Sequence, residues 1–347
     1  MIEEKPASED SPLALRSADE WGNKLPFSGW YPIGFGALIG IAFRMVFAGE
    51  DGKAFSPMLG SFLFVVPFLV GAVTVYIAER QERRSWSYYW WAGWMANVFC
   101  VFGTLVIAVE GLICAIVIVP LVMLEGGIGG LVMGAVCRKT NWPKQTLYSL
   151  AALPLVLGSI EPYWPMPTQW NTVERRLVID ATPEEIWQQI MEARNIQPEE
   201  MQRAWMYRIG VPLPISGIVE QTPQGLVRRI QMGKNIHFDQ VFTEWQQNRF
   251  VAWSYHFDDD SVPPAALDDH VKIGGHYFNL GTTSYTLNPS GAQTELLIRM
   301  EYRLTTRFNW YANPIAQQLF SNFEDVVLEF YQRRSEKKPA LAVDASL

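Results

Sequence analysis

Basic residues and cysteine are both in short supply in this chain. Lys and Arg together number 28 against 35 Asp and Glu, giving a formal net charge of -7. The continuous positive footprint that a phosphate backbone demands is therefore missing, and nucleic acid is excluded as a partner. The three cysteines, Cys100, Cys114 and Cys137, have neither the paired spacing of a zinc site nor the density of a disulfide scaffold. There is no Gly-rich phosphate loop, no serine in a nucleophile elbow, no CxxC and no HExxH. These absences argue against nucleotide, hydrolase and dithiol chemistry, and neither a metal nor a cofactor is expected. Residues 1–28 are polar and acid-leaning, without the basic start and short apolar core of a cleaved secretory signal, and are read as a solvated tail.

What the chain has in plenty is apolar sequence, 49% of its residues, unevenly spread. Between residues 29 and 161 lie runs at about 31–49, 56–78, 88–109, 112–136 and 145–160. Roughly 20 apolar residues cross the hydrocarbon of a bilayer, so this half is expected to be a transmembrane domain of four to five α-helices. Arg80, Arg83 and Arg84 close the second run, and Arg138 and Lys139 close the fourth. The group Tyr88, Tyr89, Trp90, Trp91 and Trp94 opens the third as an interfacial aromatic belt.

Two helices between two basic loops place both loops on one side. That side is cytoplasmic by the positive-inside rule, and the N-terminus lies there too. The expectation is an integral protein of an inner or plasma membrane. If the short fifth run spans, residues after it are extracytoplasmic; if it lies in the interface, they are cytoplasmic. Lys144 and the pair Tyr163/Trp164 would anchor opposite ends of it, which favours spanning.

Three features inside the apolar half invite interpretation. Arg44 lies near the end of the first run, where its stem can snorkel toward headgroups. Gly36 and Gly40 form a GxxxG, a candidate helix-packing seam. Glu125 is the intramembrane polar candidate: a charge at mid-span costs about 2.5–3.5 kcal/mol. The neighbouring Gly126, Gly127, Gly129 and Gly130 suggest a close helix crossing that buries a neutral, hydrogen-bonded carboxyl. No second buried carboxylate, Lys or His continues a relay, so a pump is hard to build from this half.

After a Pro- and Trp-rich linker at 162–172 the grammar changes, and residues 173–336 read as a water-adapted domain followed by a tail, 337–347. In ERRLVIDA, Leu177, Ile179 and Ala181 share one face, the period of a half-buried strand. Thr182 is a helix cap, Pro183 suits the first helical position, and Glu184 and Glu185 complement the helix dipole. An irregular helical stretch around PEEMQRAWMYRIG leads to GIVEQT, LVRRIQM, HFDQVFTEW, RFVAWSYHF, HYFNLGTTSYTL and TELLIRMEYRL, which read as six successive strands. Strands without intervening helices argue for one antiparallel sheet. A long amphipathic helix, with Ile315, Leu319, Phe323, Val326, Val327 and Phe330 at helical spacing, ends the domain.

The entry VIDATPEEIW, followed by that order of elements, resembles the helix-grip fold of the START and polyketide-cyclase (SRPBCC) superfamily. The resemblance covers about half the chain. It implies an α+β domain whose curved antiparallel sheet wraps the last helix, with an apolar cavity between them for lipids, isoprenoids or other hydrophobic molecules. It implies no fixed catalytic set. The segment from Asp258 to Gly275 is longer than that fold requires.

Strand parity selects the candidate cavity wall: Leu296, Ile298, Met300 and Tyr302 on one strand, Ile230 and Met232 on another, and Trp253 or His256 according to register, with Phe323 from the helix. Arg228 and Glu244 are candidates for a cross-strand ion pair. All four histidines, His237, His256, His270 and His276, lie in this half. The one acid/base candidate is His270, oriented by Asp269. The leading expectation is a membrane-anchored protein whose partners are the bilayer and a hydrophobic small molecule. The alternatives are a cyclase or dehydratase using His270 and Asp269, and a non-catalytic sensor or assembly factor for another membrane protein.

Overall fold

The computed structural model describes residues 29–140, 144–223, 225–263, 266–267 and 269–336. The expected tails at 1–28 and 337–347 lie outside them. The first half is a helical bundle of α1 (Tyr31–Val46), α2 (Val66–Gln81, entered through the π-helical turn Ser61–Val65), α3 (Trp86–Val106), α4 (Leu112–Lys139) and α5 (Lys144–Ile160). Among the described residues two helices are long and apolar enough to cross a membrane, Ser61–Gln81 and Leu112–Lys139. The other three fall short of that test for visible reasons. α1 has only 16 residues, α3 is diluted by the Trp and Tyr of its first turns, and α5 has 17 residues with Pro154 inside.

Glycines let the bundle close. A Cβ on Gly71 or Gly93 would fall 1.9 or 2.1 Å from the Gly126 carbonyl oxygen, and one on Gly129 would fall 2.0 Å from that of Phe68. Backbones of α2, α3 and α4 thus touch directly, as small residues permit. The Gly36/Gly40 pair is likewise a seam, with Thr74 of α2 and Cys100 of α3 filling the space over it. Glu125 beside this crossing is half-buried and makes no hydrogen bond among the described residues, so the expected hydrogen-bonded carboxyl is not found.

Arg44 corrects another expectation. It does not reach outward: it is buried, pairs with Glu110, and donates to the carbonyls of Phe47 at 2.8 Å and Val109 at 3.2 Å. The α3–α4 turn supplies both a carboxylate and a carbonyl there, which offsets the cost of desolvating the guanidinium.

The second half carries β1 (Thr168–Ile179), α6 (Pro183–Met191), β2 (Glu192–Ala193), α7 (Pro198–Met201), α8 (Trp205–Arg208), β3 (Pro214–Thr222), β4 (Gly225–Met232), β5 (His237–Gln246), β6 (Phe250–His256), β7 (Phe278–Ser290), β8 (Gln293–Thr305) and α9 (Asn309–Ser335). β1 begins at Thr168, inside the stretch read as linker. The strands form one curved antiparallel sheet in the order β1-β8-β7-β6-β5-β4-β3-β2. Thr182 caps α6 as expected, and Glu185 does more than complement the dipole: the Thr182 hydroxyl accepts from the Glu185 amide, and the Glu185 carboxylate accepts from the Thr182 amide at 3.1 Å, a capping box.

α9 lies on the concave face. At one end Ile179, Ile186, Ile190, Val251, Trp253, Leu296, Ile298, Val327 and Phe330 form a solid core. At the other end the sheet and helix part company, and the helical bundle comes in beneath. Glu161, at the end of α5, accepts from the amides of Gly60 and Ser61 at 2.7 and 2.8 Å and pairs with Arg307 at 3.3 Å. Tyr311 of α9 donates to the Val117 carbonyl of α4 at 2.7 Å. The two halves are pinned at this joint.

Candidate ligand-binding cavity

Where sheet and helix separate there is a hollow of about 330 Å³. β4 and β5 form one wall through Ile230, Met232 and Phe238, and β7 and β8 another through Leu280, Met300 and Leu304. α9 forms the roof through Ile315, Leu319, Phe320 and Phe323. The long loop after β6 closes a side with Leu267, His270, Val271 and Ile273. The floor comes from the bundle: Ile113, Cys114, Val117 and Ile118 of α4, with Met58. The volume falls within the range of small-molecule pockets, which are mostly apolar with a few placed polar groups.

Four of the nine cavity residues expected from parity line the hollow: Ile230, Met232, Met300 and Phe323. Trp253, Leu296, Ile298 and Tyr302 do not. They face the same way, but each is at most 1% exposed and is packed into solid core beside the hollow. Tyr302 donates to Asn313 at 2.8 Å and lies against Phe320, and burial pushes its phenol pKa up to about 12. His256 is exposed at the end of β6, with Asp258 at 3.3 Å, so register gives the inner place to Trp253.

His270 lies in the 3-10 turn Asp269–Val271 and lines the hollow. Its Nδ1 is 3.8 Å from a carboxylate oxygen of Asp51, which precedes α2, and its ring meets the edge of Tyr277. The Asp269 side chain lies outside what the structure describes, and Asp51 is the carboxylate placed beside the imidazole. His270 also borders a smaller cavity of about 60 Å³ inside the bundle, shared with Met58, Cys114 and Ile118 and reaching Arg44, Asn97 and Glu110. No group of three or more His, Cys, Asp or Glu placed to hold a metal occurs among the described residues.

The polar end of the large hollow contains what the sequence reading missed. Arg228 does not pair with Glu244, which is exposed and lies opposite Ala252. β4 and β5 instead align Arg228 with Gln240, and β5 and β6 align Gln240 with Tyr255. The guanidinium is 6% exposed, donates to Gln240 Oε1 at 2.7 Å and stands 5.3 Å from the Trp253 ring centroid. Tyr255 shares a hydrogen bond of 2.7 Å with Thr283, and burial raises its pKa, as it does that of Tyr285. Both phenols are neutral donors at ordinary pH. The available signal was that Arg228 shares its strand face with Ile230 and Met232.

A curved antiparallel sheet holding a C-terminal helix over a hollow is the class of structure this half defines. No known protein-family model matches the chain, and no curated protein matches it. Among solved structures, XoxI from Bacillus cereus is 13% identical with a TM-score of 0.29, covering 48% of this chain and 96% of its own. An uncharacterized protein from Rhizobium leguminosarum is 11% identical with a TM-score of 0.30, covering 48% and 97%. A protein from Thermus thermophilus, TTHA0849, is 15% identical with a TM-score of 0.27, covering 48% and 97%. The fold assignment rests on the sheet order and α9, not on these likenesses.

Proposed function

We propose that this chain is a membrane-anchored binding protein for a hydrophobic small molecule, a lipid or isoprenoid-like compound, held in a START-like cavity of a helix-grip domain. The observation that carries the reading is the hollow itself: an apolar space of about 330 Å³ roofed by α9 and floored by α4. A folded chain does not keep such a space without cost, because each wall atom forgoes its packing partner. Occupation by an apolar guest restores those contacts. Anchoring beside a bilayer adds a supply, since such a guest is concentrated there.

In this reading all five helices of residues 29–161 span. The chain direction supports it, because the segment between α1 and α2, the end of α5 and the first half of α4 meet the sheet half, while Arg84 and Arg138 meet where α2 and α4 end. With that basic end cytoplasmic, the sheet half is extracytoplasmic. The test of function is to purify the full chain in lipid nanodiscs, extract it, and compare the extract by mass spectrometry with empty nanodiscs. Enrichment of a defined apolar compound is expected; protein that is empty in every preparation, with the hollow intact, refutes the reading. Labelling of a single cysteine introduced after residue 336 from one side of intact cells checks the orientation.

A second reading is favoured by one observation, the placement of His270 in the cavity wall with Asp51 beside it. In it the imidazole acts as general acid or base on a bound guest, as in a cyclase or dehydratase. A bound compound recovered unchanged from wild type and from His270→Gln alike would count against this reading.

A further inference from the structure

We infer that the guest carries an oxyanion at one end, a carboxylate or a phosphate ester on a single apolar chain, and that Arg228 receives it. The inference rests on the binding reading above and names the class of ligand.

Arginine stays charged at any physiological pH and is costly to remove from water unless paired. Arg228 is 6% exposed and lines the hollow, yet among the described residues no carboxylate lies within ion-pairing distance of it. Its one hydrogen bond there goes to the neutral amide of Gln240, and its Nε has no acceptor. The Trp253 ring faces the guanidinium and supplies no anionic partner. Buried donors without acceptors are rare and call for an explanation.

The surroundings are built around the cation. A Cβ on Gly217 would fall 2.6 Å from Nη2 of Arg228, so the glycine makes room for the guanidinium. Gln240, Tyr255 and Thr283 add polar groups at the same end of the hollow, while most of its remaining lining is apolar. A cationic end and a greasy length match an amphiphilic anion, whose oxygens suit the planar fork of arginine. An uncharged terpene or sterol would leave the same charge unanswered.

The experiment uses the full chain in nanodiscs of zwitterionic lipid and measures equilibrium binding of radiolabelled dodecanoate, dodecyl phosphate and dodecanol, with empty nanodiscs subtracted. One or both anions are expected to bind roughly tenfold to a hundredfold tighter than the alcohol, the range set by one charge-assisted hydrogen bond. Whether dodecanoate or dodecyl phosphate leads identifies the head group. Arg228→Met should bring the ratio of anion to alcohol affinity to about one, whatever it does to the alcohol's own affinity, and Arg228→Lys should keep part of the preference. If Arg228→Met does not fold, loss of the preference in Arg228→Gln, which removes the charge and keeps a polar side chain beside Gln240, is the substitute readout. Equal binding of anions and alcohol to wild type overturns the role of Arg228 and leaves the apolar cavity standing. Absence of binding by all three overturns both.

Discussion

Glu324 offers a sharp test of how the domain is held together. It sits on α9, fully buried, and neither carboxylate oxygen has a hydrogen-bond partner among the described residues. Burial pushes its pKa up from 4.5 to about 8, with Arg175 opposing the rise and Asp325 and Glu174 adding to it. The folded chain therefore keeps a proton that the unfolded chain releases above its own pKa. The stabilising contribution is fully present below about pH 4.5 and is lost as pH rises through about 8. A shift of that size is worth roughly 4–5 kcal/mol.

Glu324→Met keeps the length of the side chain and removes the titration. The assay is thermal unfolding of the full chain in maltoside micelles from about pH 6 to about pH 9, following near-ultraviolet dichroism. Taking wild type minus variant cancels every other titrating group. The variant should gain on wild type from about pH 6 up to about pH 8, where the difference levels off, and be the more stable protein by the end of the range. A difference that stays flat with pH would refute the claim that an unpaired carboxyl is buried under β1.

Other perturbations probe other parts. Gly126→Ala would drive a methyl to 2.0 Å from Asn97 Nδ2 and 2.6 Å from the Gly93 carbonyl, so the bundle should lose about 1–3 kcal/mol, read as a lower melting midpoint. Arg44→Met leaves Glu110 buried without its partner and should cost about 3–5 kcal/mol; the double variant Arg44→Met with Glu110→Gln should recover much of it. Thr182→Ala removes the cap of α6 and should cost about 1 kcal/mol in the same melts, with ligand recovery unchanged.

Much of the second half was legible because its signals are local. Period-two alternation located the strands, and Thr182 followed by Pro183 gave the start of α6, since both depend on neighbours within a few residues. The division of one strand face into core and cavity was not legible. Leu296, Ile298 and Met300 look alike in sequence, and only the divergence of α9 from β8 decides that the first two are core and the third is wall. Arg44 shows the same limit. Its partner Glu110 is distant in sequence, so a local reading sends the side chain outward. Arg228 was set against the wrong acid because the β4–β5 register, which puts Gln240 opposite it, is fixed by where the chain turns between the two strands and not by parity, which Gln240 and Glu244 share.

The floor of the hollow has a consequence for mutational data on this protein. Val117 and Ile118 sit on a helix whose hydropathy alone accounts for their being apolar, yet they also bound the guest's compartment. Exchanges there that any bilayer would tolerate, such as Val117→Phe, are answerable to a second constraint, the shape of the bound molecule. Conversely, cutting the chain before β1 would leave the compartment with one side missing.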